Sequence, residues 1–507
     1  MSIRTIPSIA AAFCLMIMLA APAALSANRP SDKEITYWVK QALKQDPRIN
    51  SSRIAAATQD GIVDLSGSVD NLAAKQYSIQ ESKKIKGVVG VIDRVEVRPV
   101  YRFDTDIAQD VRRRIIDSAV IESQKIKVSC VDGRVRLQGQ VASWGEYQEA
   151  SLLATQVRGV KEVQNRLTVI DQGWRSDQAI KNDIVAAFRR KVQLTGYPIT
   201  VDVQKGRVTL TGWVGNSFEW DQADLTARWT DNVNSVDNRL EVKWWENRGL
   251  RGSSPHLTDA ERKKAVRETL DHDSRIDSSK IKVGVDLGTV TLSGTVEDHY
   301  QKRVASQDAL DVVGVAWVDN KLFVQADQRS DDAVRDDVVF NLDSDSALGV
   351  LDIGVQVNKS VVTLRGKTPT WYEKMHAEDV ASKVRGVRKI INHIKVDWDS
   401  PRSDSFIASM IRKRLTTDWL TYSASDKIIV EVTDGVATLK GDVHSWDQRQ
   451  EAERVAFNTY GVWLVKNHLA VEDYDYPWSK GSPSIQDRNA SARLFDDWTA
   501  RYDRFWW

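Results

Sequence analysis

Three runs of consecutive basic residues are the part of this sequence best suited to chemistry: Arg112-Arg113-Arg114, Arg189-Arg190-Lys191 and Arg412-Lys413-Arg414. Each lies in an amphipathic helical stretch, at matching positions in three copies of a repeated unit. Successive helical residues step about 100° apart, so three of them spread over about 200° and cannot all face one way. Their long stems let half-buried members reach water. Two readings follow: a solvated face balanced by nearby acids, or a basic face for anionic lipid headgroups, where each charge near the surface contributes about 1 kcal/mol. Trp144, Trp371 and Trp446, at the head of a second helix, either staple that helix to its own core or anchor at headgroup level. The chain ends in RLFDDWTARYDRFWW, in which Leu494, Trp498, Tyr502 and Phe505/Trp506 fall three to four apart, an amphipathic helix by pattern. With Trp507, this aromatic tail offers a docking element for the last repeat, a membrane surface or another protein.

Other chemistries find no residues to carry them. His256, His272, His299, His376, His393, His444 and His468 form no HExxH or similar spacing, and CxxC is absent, so no metal or other cofactor is expected. No nucleophile elbow or phosphate-binding glycine loop is present and the carboxylates are scattered, so no catalytic residue is assigned and the chain reads as a non-enzyme. Cys130 sits at an alternating strand position, Ile126-Val128-Cys130, and reads as a small buried hydrophobe.

These residues are positioned by a unit that recurs six times. Its centre is an eight-residue strand: IVDLSGSV, RVRLQGQV, RVTLTGWV, TVTLSGTV, VVTLRGKT and VATLKGDV, around Gly67, Gly139, Gly212, Gly294, Gly366 and Gly441, with gaps of 72, 73, 82, 72 and 75 residues. Each unit opens on a helix whose N-cap signals are Ser31-Asp32, Thr105-Asp106, Ser176-Asp177, Thr258-Asp259, Ser330-Asp331 and Ser403-Asp404. A short alternating strand and a tight turn such as Asp132-Gly133 lead into the central strand, whose glycine marks a bulge or the close approach of another backbone. A second helix begins near Leu72, Trp144, Ser217, His299, Trp371 and Trp446. It carries a pair of small residues one turn apart, such as Ala150/Ala154, that lets it lie close on a sheet. A third strand holds Asp93, Asn165, Asn238, Asn320, Asn392 or Asn467. The fold class is therefore α+β: tandem α-β-β-α-β domains, each a three-stranded mixed sheet with two helices on one face.

Residues 1–27 carry Arg4, the apolar run Ile9–Leu19 and then small residues, the layout of a cleaved signal peptide; the run is too short to anchor in a bilayer. Without this segment the formal charge falls from +1 to zero, so global charge argues for neither a nucleic-acid partner nor an anionic surface, and no nucleic acid is expected. The domains are placed at 31–98, 104–170, 177–243, 259–324, 331–396 and 404–471, with a linker at 244–257 that divides them into two groups of three, and a tail at 474–507.

The joint spacing of the turn, the V-x-L-x-G-x-V strand, the small-residue pair and the run Gly159-Val160-Lys161-Glu162-Val163-Gln164-Asn165 resembles the BON domain of periplasmic, osmotically inducible bacterial proteins. Lys359-Ser360 in place of a glycine turn, and Asn232 in place of a glycine, depart from the pattern and are expected to pack or bind differently. The resemblance implies a non-catalytic periplasmic protein that binds anionic phospholipid surfaces and supports the envelope under osmotic stress. The alternative is a scaffold for envelope proteins or cell-wall polymer docked through the tail. The sequence does not specify an oligomeric state.

Overall fold

The computed structural model describes residues 30–471 apart from 122–124, 143, 171–174, 192–193, 231, 244–256, 274, 287, 316, 326–328, 398–401 and 445. The proposed signal peptide, the linker and the aromatic tail lie outside the described residues.

All six units form the α-β-β-α-β arrangement. In repeat 2 the helices are Asp104–Asp117 and Trp144–Gln156 and the strands Lys127–Val131, Arg134–Val141 and Glu162–Val169. The central strand runs antiparallel to the first and parallel to the third. In repeat 3 the central and third strands are each interrupted, giving short pieces at Trp213–Val214 and Glu241–Val242. Every unit has its own apolar core: in repeat 2, Ile107, Val111 and Ile115 from the first helix meet Val135, Leu137 and Val141 from the central strand. The paired small residues Ala150 and Ala154 are fully buried against it, so the second helix seats directly on the sheet.

Outside repeat 3, where the strand breaks at Gly212, the central glycines do not mark bulges, because the strand register runs through them unbroken, as in Ile428↔Gly441. Each stands where another backbone passes. A Cβ on Gly441 would lie 1.9 Å from the Lys427 carbonyl oxygen, at φ +115°, a contact and a conformation that only glycine tolerates.

The aspartate that opens each first helix acts as a clamp on the hairpin turn. Asp104 accepts from the Asp132 and Gly133 amides at 2.8 Å, and Asp32, Asp177, Asp331 and Asp404 do the same in their own repeats. These amide hydrogen bonds hold the Asp104 carboxyl below the usual range. The helix start in repeat 2 is accordingly Asp104, with Phe103 at the N-cap and no capping side chain. The Thr105-Asp106 signal falls inside the first turn. The two departures from the repeat pattern keep the common backbone: Lys359 and Ser360 both take positive φ, as does Asn232 at 64°.

The six units fold back on one another. Isolated main-chain bridges join Ile85 to Asp418, Ser118 to Val384, Val157 to Asp345 and Lys191 to Val312, pairing repeat 1 with 6, 2 with 5 and 3 with 4. The same 227-residue step relates Ile85 to Val312, Lys191 to Asp418, Ser118 to Asp345 and Val157 to Val384. The first three repeats are thus related to the last three by a pseudo-twofold through the contact of repeats 2 and 5, an isologous arrangement within one chain. Ala119 donates to the Lys383 carbonyl while Arg385 donates to that of Asp117; reciprocally, Arg158 donates to Ser344 and Ser346 to Gln156. These bridges come from the C-terminal ends of the helices, so helices meet at the seams and the sheets keep one open face.

Candidate functional site

Their contacts divide the nine basic helix residues into two groups. Six of them hold repeats together. Arg114 is 2% exposed and donates through Nη2 to the Asn341 carbonyl at 2.7 Å and to Asp345 at 3.1 Å, while Arg113 lies 3.8 Å over the Phe340 ring and 3.4 Å from Asp337. Arg190 pairs with Glu268 at 2.7 Å and Lys191 with Asp311 at 3.8 Å. Lys413 lies over the Tyr37 ring and donates to its hydroxyl at 2.5 Å, and Arg414 reaches Glu81 at 3.5 Å. Of the nine, Arg112, Arg189 and Arg412 are the exposed ones with no acidic partner among the described residues, and Arg412 also donates to the Val430 carbonyl. The Arg189-Arg190-Lys191 triplet does not match the other two in position. It lies one turn later, with Arg189 and Arg190 ending the helix and Lys191 at its C-cap, where cations complement the helix dipole.

The seams are rich in buried charge. Between repeats 1 and 6, the acids Asp46, Glu81, Asp418 and Glu451 meet the bases Arg48, Lys84, Arg414 and Arg454. Glu81 takes Arg48 at 2.8 Å and Arg454 at 3.3 Å. Between repeats 2 and 5, Asp345 receives Arg114 and His376, the latter at 3.0 Å. Burial pushes the Asp345 carboxyl up, but His376, Arg114 and the Ala347 amide outweigh it and hold the group at about 2. Buried charges are tolerated only when paired in this way.

Asp418 behaves differently. Burial, with Glu451 beside it, pushes its carboxyl up to about 8 against the pull of Arg454, while Glu451 is held low because Arg454 outweighs its burial. The two carboxyls therefore hold one proton between them. A carboxyl raised on folding contributes stability that is present below its ordinary range and lost as pH rises toward 8. Asp418→Asn mimics the protonated acid and keeps an acceptor for the Leu420 and Thr421 amides. Relative to the native chain, the variant is expected to gain stability steadily from pH 5 to about pH 8 and then level off, as read by denaturant midpoints; a constant difference across that range would contradict the shared proton.

Trp371 does not staple its own core. It is half-buried and stacks on Phe457 of repeat 6, with centroids 5.4 Å apart, under Lys374 at 4.7 Å. Trp144 and Trp446 begin their helices as expected, but their side chains lie outside the described residues, as do Trp498, Phe505, Trp506 and Trp507. The Cys130 thiol donates to Asp104 at 3.3 Å. Burial and that carboxylate push the thiol up to about 12, so it is a poor nucleophile. Among the described residues no group of three or more His, Cys, Asp or Glu is placed to hold a metal ion, and no described helix is long and apolar enough to cross a membrane.

The most unbalanced surface is one that the helix runs do not reveal. The three strands of repeat 5, Ile353–Asn358, Val361–Thr368 and Lys389–Val396, contain no acidic residue. Their open face exposes Arg365, Lys367, Lys389, His393 and Lys395. Neighbouring strands place Lys367 directly against Lys395 and Arg365 against His393. Like charges opposite one another in a sheet are destabilising, and among the described residues Asp397, beyond the strand, is the one acid paired with this face, meeting Lys367 at 2.7 Å. Repeat 2, the pseudo-twofold counterpart, shows Lys127, Arg134, Arg136 and Arg166 against the single acid Glu162. The other sheets balance or reverse their charge, as with Lys440 and Glu431 at 2.6 Å in repeat 6 and with Asp202, Asp237 and Glu241 in repeat 3. The signal was present in the sequence as basic residues at the outward positions of alternating strands, but scattered over residues far apart in the chain.

Comparison with known proteins gives the same module. The BON domain family matches at residues 31–99, 103–171, 176–243, 258–326, 330–397 and 403–473. The chain is similar to Osmotically-inducible protein Y of Escherichia coli K12, at 32% identity over 147 residues, covering 28% of this chain and 73% of that protein. It is also similar to Outer membrane lipoprotein DolP of Haemophilus influenzae, at 26% identity over 138 residues, covering 26% of this chain and 71% of that protein. Among solved structures, the C-terminal domain of CdsD, a structural protein of the type III secretion system of Chlamydia trachomatis, aligns at 15% identity with a TM-score of 0.12, over 44% of this chain and 99% of that one.

Proposed function

The chain belongs to the BON-domain family, and on that footing we propose that it is a non-catalytic periplasmic protein that associates with anionic phospholipid surfaces and supports the envelope under osmotic stress. The relatives, one osmotically inducible and one an outer-membrane lipoprotein, support the setting. The observation that carries the surface assignment is the acid-free sheet of repeat 5, backed by the basic sheet of repeat 2. With a net charge of only +1 over the whole chain, attraction to an anionic plane has to come from such local faces. Two faces on one molecule act together, because the first contact raises the effective concentration of the second. Arg112, Arg189 and Arg412 add exposed positive charge on the first helices; Arg114 and Arg414 are spent in the seams and do not.

The test is co-sedimentation of the chain lacking residues 1–27 with vesicles of phosphatidylglycerol or of phosphatidylcholine. Binding to the first alone, weakening as salt shortens the reach of exposed charges, is the expected result. Absence of binding to both would refute the lipid reading and favour the scaffold docked through its aromatic tail.

A further inference from the structure

We propose that the cavity between repeats 3 and 4 binds a small organic cation bearing a guanidinium group, in the place that an arginine side chain fills in the equivalent seam between repeats 1 and 6. The pseudo-twofold makes the two seams directly comparable, since the bridge Lys191↔Val312 is the counterpart of Ile85↔Asp418. In the seam of repeats 1 and 6, Arg414 crosses from the first helix of repeat 6 and meets Glu81 and the Asn458 carbonyl. The residue at its position in repeat 3 is Ala187. It lines a cavity of about 80 Å³ together with Asp308, Trp229, Arg190, Lys191 and Asp273.

The charge left behind matches the missing side chain. The eight charged positions of the first seam hold four acids and four bases. Their counterparts here are the acids Asp273, Asp308 and Asp311 and the bases Lys191 and Arg275, with Ala187, Gln222 and Leu225 at the rest. With every carboxyl ionised, this seam is one positive charge short where the seam of repeats 1 and 6 balances. Nearby groups do not supply it, because Arg190 is taken by Glu268 at 2.7 Å and His272 by Asp183 at 3.3 Å. Asp308, the counterpart of Glu81, is 7% exposed. Its Oδ1 accepts from Arg275 at 3.2 Å, while its Oδ2 has no hydrogen-bond partner. Burial, with the Asp273 carboxyl beside it, drives the Asp308 carboxyl up against the pull of Arg275; at Glu81 the burial is outweighed by Lys84, Arg454, Arg48 and Arg414. An orphaned acceptor of this kind is costly unless something donates to it. The half-buried flanks at Asp183, Thr226 and Asp311 leave the cavity open to solutes.

The probe is ethylguanidinium, the fragment by which an arginine side chain exceeds alanine. Thermal unfolding of the whole chain is measured with increasing ethylguanidinium, and with ethylurea as its neutral isostere. A saturable rise in Tm of about 2 °C at tenfold excess over Kd is expected, with no rise in ethylurea. Ala187→Arg should raise Tm without ligand and abolish the response; Asp308→Asn, which keeps the side-chain volume, should abolish the response alone. Acetyl-arginine methylamide identifies the source: stabilisation by this compound too would point to an arginine presented by a protein, whereas stabilisation by ethylguanidinium alone would point to a free solute. A response equal in ethylurea, or unchanged in both variants, would overturn the proposal.

Discussion

Replacing Arg114 by alanine is expected to destabilise the folded chain by about 3 kcal/mol, at the lower end of what removing one partner of a buried ion pair costs. Arg114 is among the largest fully buried side chains of the molecule, and its guanidinium spans the seam from repeat 2 to the Asn341 carbonyl and Asp345 of repeat 5. Without it, Asp345 keeps His376 and the Ala347 and Leu348 amides, which is why the expected loss is not larger. Denaturant unfolding measures the loss. Arg112→Ala, two residues away and exposed, should change stability by less than about 0.5 kcal/mol. Equal effects of the two substitutions would mean that the seam between repeats 2 and 5 does not exist in solution.

Neutralising the open face of repeat 5 should separate binding from folding. The variant carrying Arg365→Gln, Lys367→Gln, Lys389→Gln and Lys395→Gln loses four surface charges, each contributing about 1 kcal/mol near an anionic bilayer. Its affinity for phosphatidylglycerol vesicles is expected to fall by up to about a thousandfold. Stability should hold or rise slightly, because the substitutions relieve the cross-strand repulsion of Lys367 and Lys395. The contrasting variant, with Arg113, Arg114, Lys413 and Arg414 replaced, should lose stability through the seams. Unchanged vesicle binding in the repeat 5 variant would remove that face from the account.

The single repeat was legible because its determinants are local. The second helices begin at Leu72, Trp144, Ser217, His299, Trp371 and Trp446, where the residue pattern puts them, and the central glycines sit where another backbone passes. Phe103 shows the limit of local signals: it cannot cap a helix, so the Thr105-Asp106 pair imitated a start that the clamp residue Asp104 makes two residues earlier. The pairing of repeats was not legible, because its bridges join main-chain groups of residues as dissimilar as Ile85, Ser118, Val157 and Lys191. No residue type marks a main-chain contact. The basic triplets misled for a related reason: a run of arginines on a helix looks the same whether it faces water or a second domain, and Arg114 is told from Arg112 only by what lies across the seam. The working surface was written in single outward residues of strands far apart in sequence, and only their register brings Lys367 against Lys395.

The most direct test of the open-face account is an environment-sensitive fluorophore placed on the sheet itself. Thr363 faces outward between Gln356 and Ile391 in repeat 5, and Thr209 holds the equivalent place between Asp202 and Asp237 in repeat 3. In a Cys130→Ser background, a label at Thr363→Cys should shift to the blue when phosphatidylglycerol vesicles are added, while one at Thr209→Cys stays unchanged. An equal response from Thr209→Cys, or silence from Thr363→Cys in a protein that still co-sediments, would show that the membrane meets some other surface.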